Sequence, residues 1–242
     1  MRYLMTFSYD GTNYNGYQKQ PNKNTIQDKI EEALFKITGN KIIIHSSGRT
    51  DSKVHALNQK AHFDLDKEFD LYKLKKGLNS LIPEDIYIKE IEKVNVDFHA
   101  RFNVLKKIYI YKINIGDYNP IDRNYVYQYN KELDIKKMIK ASKCLIGTHN
   151  FKAFTKTDTT KDDYIRTIYN INIDIKDNIM TLEFVGSGFL RYMVRNIVGT
   201  LIEVGENKLV PKDIVDILES QDRKKAGKTA NPEGLYLKEV NY

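Results

Sequence analysis

The sequence predicts an α+β protein in which helices pack on a mostly antiparallel sheet. Three observations predict it. The opening segment alternates apolar and polar residues with a period of two, the first hundred residues read β-α-β, loop, β-α-β, and the second part roughly repeats that order. No linker rich in Gly, Ser or Pro separates the halves. Two related subdomains sharing one sheet, rigidly packed with a cleft between them, are therefore expected, residues 1–104 forming the first and 105–242 the second.

Residues 2–9 place Tyr3, Met5, Phe7 and Tyr9 on one face of a strand, and Asp10-Gly11-Thr12 supplies the turn that ends it. Thr25 followed by Asp28 forms a capping box with Asp in place of Glu. Ile26, Ile30, Ala33, Leu34 and Ile37 then recur at helical spacing up to Gly39, which predicts a helix over 26–38. Short apolar runs over 41–45 and 61–65 predict strands. Leu71, Leu74, Leu78 and Leu81 mark a second helix ending near Pro83, and 86–94 returns to strand. In the second part 107–115 alternates as a strand, a helix spans 134–146, and strands cover 166–175 and 179–184. A helix over 188–204, a short helix over 211–218 and a closing strand over 234–240 complete the chain.

The composition, 41% apolar and 29% charged, excludes the disordered class. No apolar run approaches the ~18–20 residues that span a bilayer, and Met1-Arg2-Tyr3 leads into a strand pattern rather than a signal-peptide core, so a cytoplasmic protein is expected. Cys144 is the only cysteine and the five histidines lack metal-ligand spacing, which argues against an internal disulfide or a structural metal. The net charge of +7 suits a polyanionic partner, although a lysine-rich chain reaches that value easily. The arginines are more telling. Only eight of the 39 basic residues are arginine, and where lysine is the default cation an arginine marks a need for a planar, bidentate fork. Arg49, Arg191 and Arg195 are three of the eight.

Gly48-Arg49-Thr50-Asp51 sits in a polar loop after the 41–45 strand, a setting in which a reactive side chain can be exposed yet fixed. By itself an Arg-Thr-Asp triplet is an ordinary Asx or ST turn. Arg191 and Arg195 fall four apart in the predicted 188–204 helix and so share a face, beside an apolar stripe of Val194, Ile197, Val198 and Leu201. Lys224-Lys225-Ala226-Gly227-Lys228-Thr229 imitates a phosphate-binding loop but has Asp222 where that motif requires glycine, and no strand leads into it.

The window Ser47-Gly48-Arg49-Thr50-Asp51-Ser52-Lys53-Val54-His55-Ala56 resembles the active-site motif of the TruA family of tRNA pseudouridine synthases. Further blocks resemble the family in the same order: Tyr9-Asp10-Gly11-Thr12, Gly16-Tyr17-Gln18-Lys19-Gln20-Pro21 and Thr25-Ile26-Gln27 at the start, then Ala100-Arg101-Phe102 with Tyr109-Ile110-Tyr111. Gly147-Thr148-His149-Asn150-Phe151, the run from Gly188 through Arg191 and Arg195 to Gly199, and Pro232-Glu233-Gly234-Leu235-Tyr236-Leu237 follow, so the likeness extends from residue 9 to residue 237. It implies the pseudouridine synthase fold, two RRM- or ferredoxin-like subdomains sharing one sheet, and an isomerase that replaces the N1–C1′ bond of uridine by a C5–C1′ bond without a cofactor or metal. The family's aspartate matches Asp51. A carboxylate must be ionised to act on sugar or base, and a nearby arginine favours that form; by resemblance the arginine is Arg195. The resemblance further implies Tyr109 as the ring that packs on the target base, Arg49 as a substrate-positioning residue, a tRNA substrate modified at positions 38–40 of the anticodon stem-loop, and a homodimer. His55 and His99 stay outside the catalytic set, since packed or surface histidines are the commoner case.

The chain departs from the family at Ser52-Lys53, where Ala-Gly is usual, and at Tyr17, where tryptophan is common. Losing that glycine removes easy access to positive φ and adds a charge near Asp51, so a differently shaped loop is expected. Two competing functions follow: the same chemistry on another RNA such as ribosomal RNA, or a non-catalytic RNA-binding module. Pure binding needs no reactive carboxylate facing a polyanion, which weighs against the second.

Overall fold

The computed structural model describes residues 1–21, 23–156 and 163–242. These form two compact units, one of Met1–Leu105 with Tyr236–Tyr242 and one of Lys106–Leu235. Both are α+β, with helices on a mostly antiparallel sheet, as the pattern predicts.

In the first unit β1 (Arg2–Tyr9) runs antiparallel between β3 (His55–Asp64) and β4 (Ile86–Val94). Its predicted inner face is almost wholly buried, with Met5 and Phe7 at 0% exposure. Fully burying side chains of this kind contributes about 1.5–3 kcal/mol each. Helix α1 (Ile26–Thr38) has the predicted bounds because both ends are written locally: the Thr25 hydroxyl accepts from the Asp28 N–H, and Gly39 closes the helix at φ 73°. Helix α2 (Leu71–Leu81), capped by Asp70, packs on β4 and against α1.

Two expectations in this unit fail for a physical reason. The 41–45 strand shrinks to β2 (His45–Ser46), because α1 side chains take the backbone of Ile44: its N–H donates to Glu31 Oε1 at 3.2 Å and its carbonyl accepts from Gln27 Nε2 at 3.4 Å. The 61–65 strand instead begins at His55. Its early residues Asn58 and Lys60 are polar, but β1 pairs with it from Ala56, and β10 (Leu235–Asn241) pairs in parallel at His55 and Ala56. Long-range pairing thus supplies the strand that local hydropathy does not signal.

In the second unit β5 (Lys106–Asn114) pairs antiparallel with β9 (Ile179–Gly186), β9 with β8 (Ile165–Lys176), and β8 with β7 (Gly147–Asn150), while β6 (Tyr127–Gln128) lies parallel to β5. Asp177 and Asn178 join β8 to β9 with φ of 50° and 63°, the two-residue turn that suits a twisted hairpin. Helix α3 (Ile135–Lys143) packs against α4 (Met193–Gly205), and α5 (Asp213–Ser220) follows. The predicted 188–204 helix begins five residues late. Tyr192 adopts the left-handed region, φ 62° and ψ 0°, which interrupts helical hydrogen bonding, so Arg191 lies before α4 and does not share a helical face with Arg195.

Candidate active site

The loop from Ser47 to Val54 joins β2 to β3 and is fixed from three sides. At its start the Ser47 N–H donates to the Lys60 carbonyl at 2.8 Å, and the Ser47 hydroxyl donates to Gln59 Oε1 at 2.7 Å. Gln59 Nε2 in turn donates to the Gly48 carbonyl at 3.0 Å, so a fully buried glutamine of β3 satisfies both ends of its amide on the loop. In the middle, the Tyr9 hydroxyl and Thr50 Oγ1 are hydrogen-bonded at 2.8 Å, and the Tyr17 N–H donates to the Thr50 carbonyl at 3.1 Å. Burial pushes the Tyr9 hydroxyl up to about 12, which keeps it protonated for that bond. Past the aspartate, the Ser52 hydroxyl and the Lys53 N–H both donate to the Tyr14 carbonyl, at 3.0 and 3.4 Å. Tyr14 is anchored through a hydrogen bond from its hydroxyl to Asp85.

The Tyr9–Tyr17 segment can lie this close only because of two glycines. A Cβ on Gly11 would stand 2.1 Å from the Val54 carbonyl oxygen. One on Gly16, which already has φ 94°, would stand 2.9 Å from the Thr50 carbonyl oxygen. The Val54 N–H donates to the Asp51 carbonyl at 3.2 Å, so Asp51 opens a turn; it is half-buried while Arg49 is exposed. Lys53 takes φ 64° without glycine, at a cost of about 1–2 kcal/mol, and the bonds from Ser52 and Lys53 to Tyr14 hold it there.

His55, beside the loop, is a packed residue. It is 2% exposed, stacks on Tyr236 at 4.7 Å, and its Nδ1 accepts from the Gly11 N–H at 3.1 Å, with an Asp10 carboxylate oxygen also 3.1 Å away. The His99 ring meets His62 edge-on and Phe102 at a tilt, with ring centroids 4.6 and 4.2 Å apart.

In the second unit Tyr109 lies on β5 opposite Phe184 of β9 and meets Phe189 edge-on at 5.2 Å, which leaves it 8% exposed. Arg195 occupies the first turn of α4, where its Nε donates to the Ala230 carbonyl at 2.8 Å while the Ala230 N–H donates back to the Arg195 carbonyl at 3.1 Å. The guanidiniums of Arg191 and Arg195 each stand 5.1 Å from the centre of the Tyr192 ring, so the two arginines are related through a tyrosine rather than through helical spacing.

The segment that carries Ala230 is itself docked on α4. A Cβ on Gly199 would fall 1.6 Å from the Lys228 carbonyl oxygen. Buried Asn196 accepts from Arg223 Nη2 at 2.9 Å and Thr229 Oγ1 at 2.6 Å, and donates to the Phe154 carbonyl at 2.8 Å. The Gly227 N–H is taken by Thr200 Oγ1 and the Lys228 N–H by Glu203 Oε1, so amides that a phosphate loop would aim at a ligand are already bonded.

Arg49 and Asp51 therefore share one loop of the first unit, and Tyr109 and Arg195 stand on separate elements of the second. Sequence reasoning missed Tyr9, Tyr14, Gly16 and Gln59 around Asp51, and Asn196, Gly199 and Ala230 around Arg195. Four of these, Tyr9, Gly16, Asn196 and Gly199, lie within matched blocks, and the two glycines each permit a close backbone approach. No group of three or more His, Cys, Asp or Glu that could hold a metal occurs among the described residues.

A family model described as tRNA pseudouridine synthase matches residues 5–103 and 141–242. The chain is 49% identical over 237 residues to tRNA pseudouridine synthase A 2 of Clostridium tetani, covering 97% of this chain and 96% of the relative. It is 46% identical over 243 residues to tRNA pseudouridine synthase A 1 of Bacillus cereus, covering 100% and 98%. It is 45% identical over 240 residues to tRNA pseudouridine synthase A of Caldicellulosiruptor bescii, covering 99% and 98%.

Proposed function

The chain belongs to the tRNA pseudouridine synthase family, isomerases acting on tRNA, and on that premise we propose that it converts uridine to pseudouridine at positions 38–40 of the anticodon stem-loop, with Asp51 as the catalytic carboxylate. The observation that carries this reading is the Ser47–Val54 loop. It resembles the family motif and is held from three sides, with a turn that begins at half-buried Asp51.

The reaction detaches the base at N1–C1′, turns it and rejoins it through C5–C1′; C5 gives up its proton and N1 ends with one. No redox partner is needed for that balance. The residues of this chain hold the nucleotide and supply an ionised carboxylate to sugar or base. Arg195 is the second catalytic residue, its positive charge favouring the ionised form of the carboxylate. Tyr109 packs on the base, a contact worth ~1–3 kcal/mol for a base taken out of its stack, and exposed Arg49 positions the nucleotide. The first subdomain thus supplies the aspartate and the second the arginine and tyrosine, and the enzyme works as a homodimer in the cytoplasm, where its tRNA substrates are. No helix among the described residues is long and apolar enough to cross a membrane.

The test is carbodiimide mapping of pseudouridine in tRNA incubated with the purified protein. Wild type modifies uridines at 38–40, and Asp51→Asn lowers the rate by at least about 10⁴-fold, the scale on which single catalytic side chains count, while tRNA affinity is kept. Unmodified uridines in every tRNA offered to wild type would overturn the reading. Sedimentation of the free protein tests the dimer.

A further inference from the structure

Seven residues other than glycine have positive φ among the described residues, and for six of them the reason is visible. Asn130, Asp177, Asn178 and Asn207 are of the types whose short polar side chains tolerate this region. Gln221 closes α5, its N–H donating to the Leu218 carbonyl, and the ring of Tyr192 receives two guanidiniums. Lys53 remains. Its side chain is exposed, and no hydrogen bond or ion pair of its ammonium occurs among the described residues. Glycine would take φ 64° freely, so the side chain carries a conformational cost that no hydrogen bond or ion pair of its own offsets among the described residues.

The place of that side chain gives it a use. It lies two residues past Asp51, on a loop whose backbone is fixed by Tyr14 on one side of the turn and Tyr17 on the other, so the side chain starts from a set backbone position close in sequence to the carboxylate. A carboxylate that must approach a polynucleotide repels its phosphates, and a compact cation on a flexible stem next to it offsets that repulsion. We propose that Lys53 is a substrate-binding residue whose ammonium contacts a backbone phosphate of the tRNA next to the uridine presented to Asp51. The proposal rests on the reading of the Asp51 loop as the active site.

Three variants separate charge from conformation. Lys53→Gln keeps the backbone cost and removes the charge, Lys53→Gly removes both, and Lys53→Arg keeps both. The first two raise KM for tRNA about 5- to 10-fold at moderate salt, keep kcat within about twofold, and reduce the slope of log Kd against log salt by about 0.7–0.9, the value of one phosphate contact. Arginine restores the slope, and Lys53→Gly melts no lower than wild type. Unchanged KM and salt slope in Lys53→Gln would overturn the proposal. So would a lower kcat with a displaced pH profile and unaltered binding, which would show the lysine acting through Asp51. Asp51→Asn is run alongside: if it abolishes isomerisation and keeps affinity, a negative result falls on Lys53 alone, and if it isomerises normally, the reading of the loop has failed instead.

Discussion

The segment that carries Asp51 and the segment that carries Arg195 are immobilised by opposite means. Around Asp51 the bonds run to the loop's carbonyls and to Ser47, Thr50 and Ser52, so what is fixed is a backbone trace. Around Arg195 the bond runs to the guanidinium itself, from Nε to the Ala230 carbonyl, and the position of that carbonyl depends on how closely residues 226–231 lie on α4. That trace accepts an exposed side chain at Lys53 even at φ 64°. A carbonyl seated against a helix does not tolerate a new atom beneath it.

The largest expected effect of a single methyl group is accordingly in the second region. Gly199→Ala forces the Lys228 carbonyl away from α4, and overpacking of this kind costs typically 1–3 kcal/mol, occasionally more. The melting temperature falls by several degrees, and kcat falls about 10- to 100-fold as Ala230 loses its register with Arg195. A variant with normal kcat would show that Arg195 does not depend on Ala230. Gly16→Ala tests the first region. It combines φ 94° with a Cβ 2.9 Å from the Thr50 carbonyl, and the positive φ alone costs about 1–2 kcal/mol. Because Tyr9, Gln59 and Tyr14 still hold the loop, its kcat falls less than that of Gly199→Ala; the reverse order would break the comparison.

The smallest effect concerns acid. His62 is buried against His99 and His45 and accepts at Nδ1 from the Ala100 N–H, and burial followed by its charged neighbours pushes its pKa from 6.5 to about 4. A histidine whose folded value is the lower one binds its proton more readily unfolded. Its contribution is level above about pH 6.5 and is lost as pH falls toward 4. His62→Gln, which keeps an acceptor for Ala100, flattens the melting curve against pH across that window, and Gly199→Ala does not. Equal slopes for wild type and His62→Gln would remove His62 as the source.

The legible parts of the sequence were those encoded within a few residues. Thr25, Asp28 and Gly39 write both ends of α1 locally, and the bounds of α1 and β4 follow. What depended on distant partners was not legible: Ile44 loses its strand to Glu31 and Gln27, and β3 gains six residues from pairing with β1 and β10. Arg191 and Arg195 show the limit of periodicity, since the left-handed Tyr192 between them leaves no trace in hydropathy. For the candidate site, the motif around Asp51 is contiguous and could be recognised, whereas Gln59 and Tyr14 act on it from elsewhere in the chain and look like any strand glutamine or loop tyrosine.

The strand β10 has a consequence for the order of synthesis. Tyr236 and Leu237 pair beside His55 and Ala56, and the Tyr236 ring covers His55, directly after the loop that bears Asp51. Domains generally fold as they emerge, amino-terminal first. Here the first unit waits for residues made after the whole of the second, so the loop that bears Asp51 stays on an unfinished support until Tyr236 and Leu237 have left the ribosome.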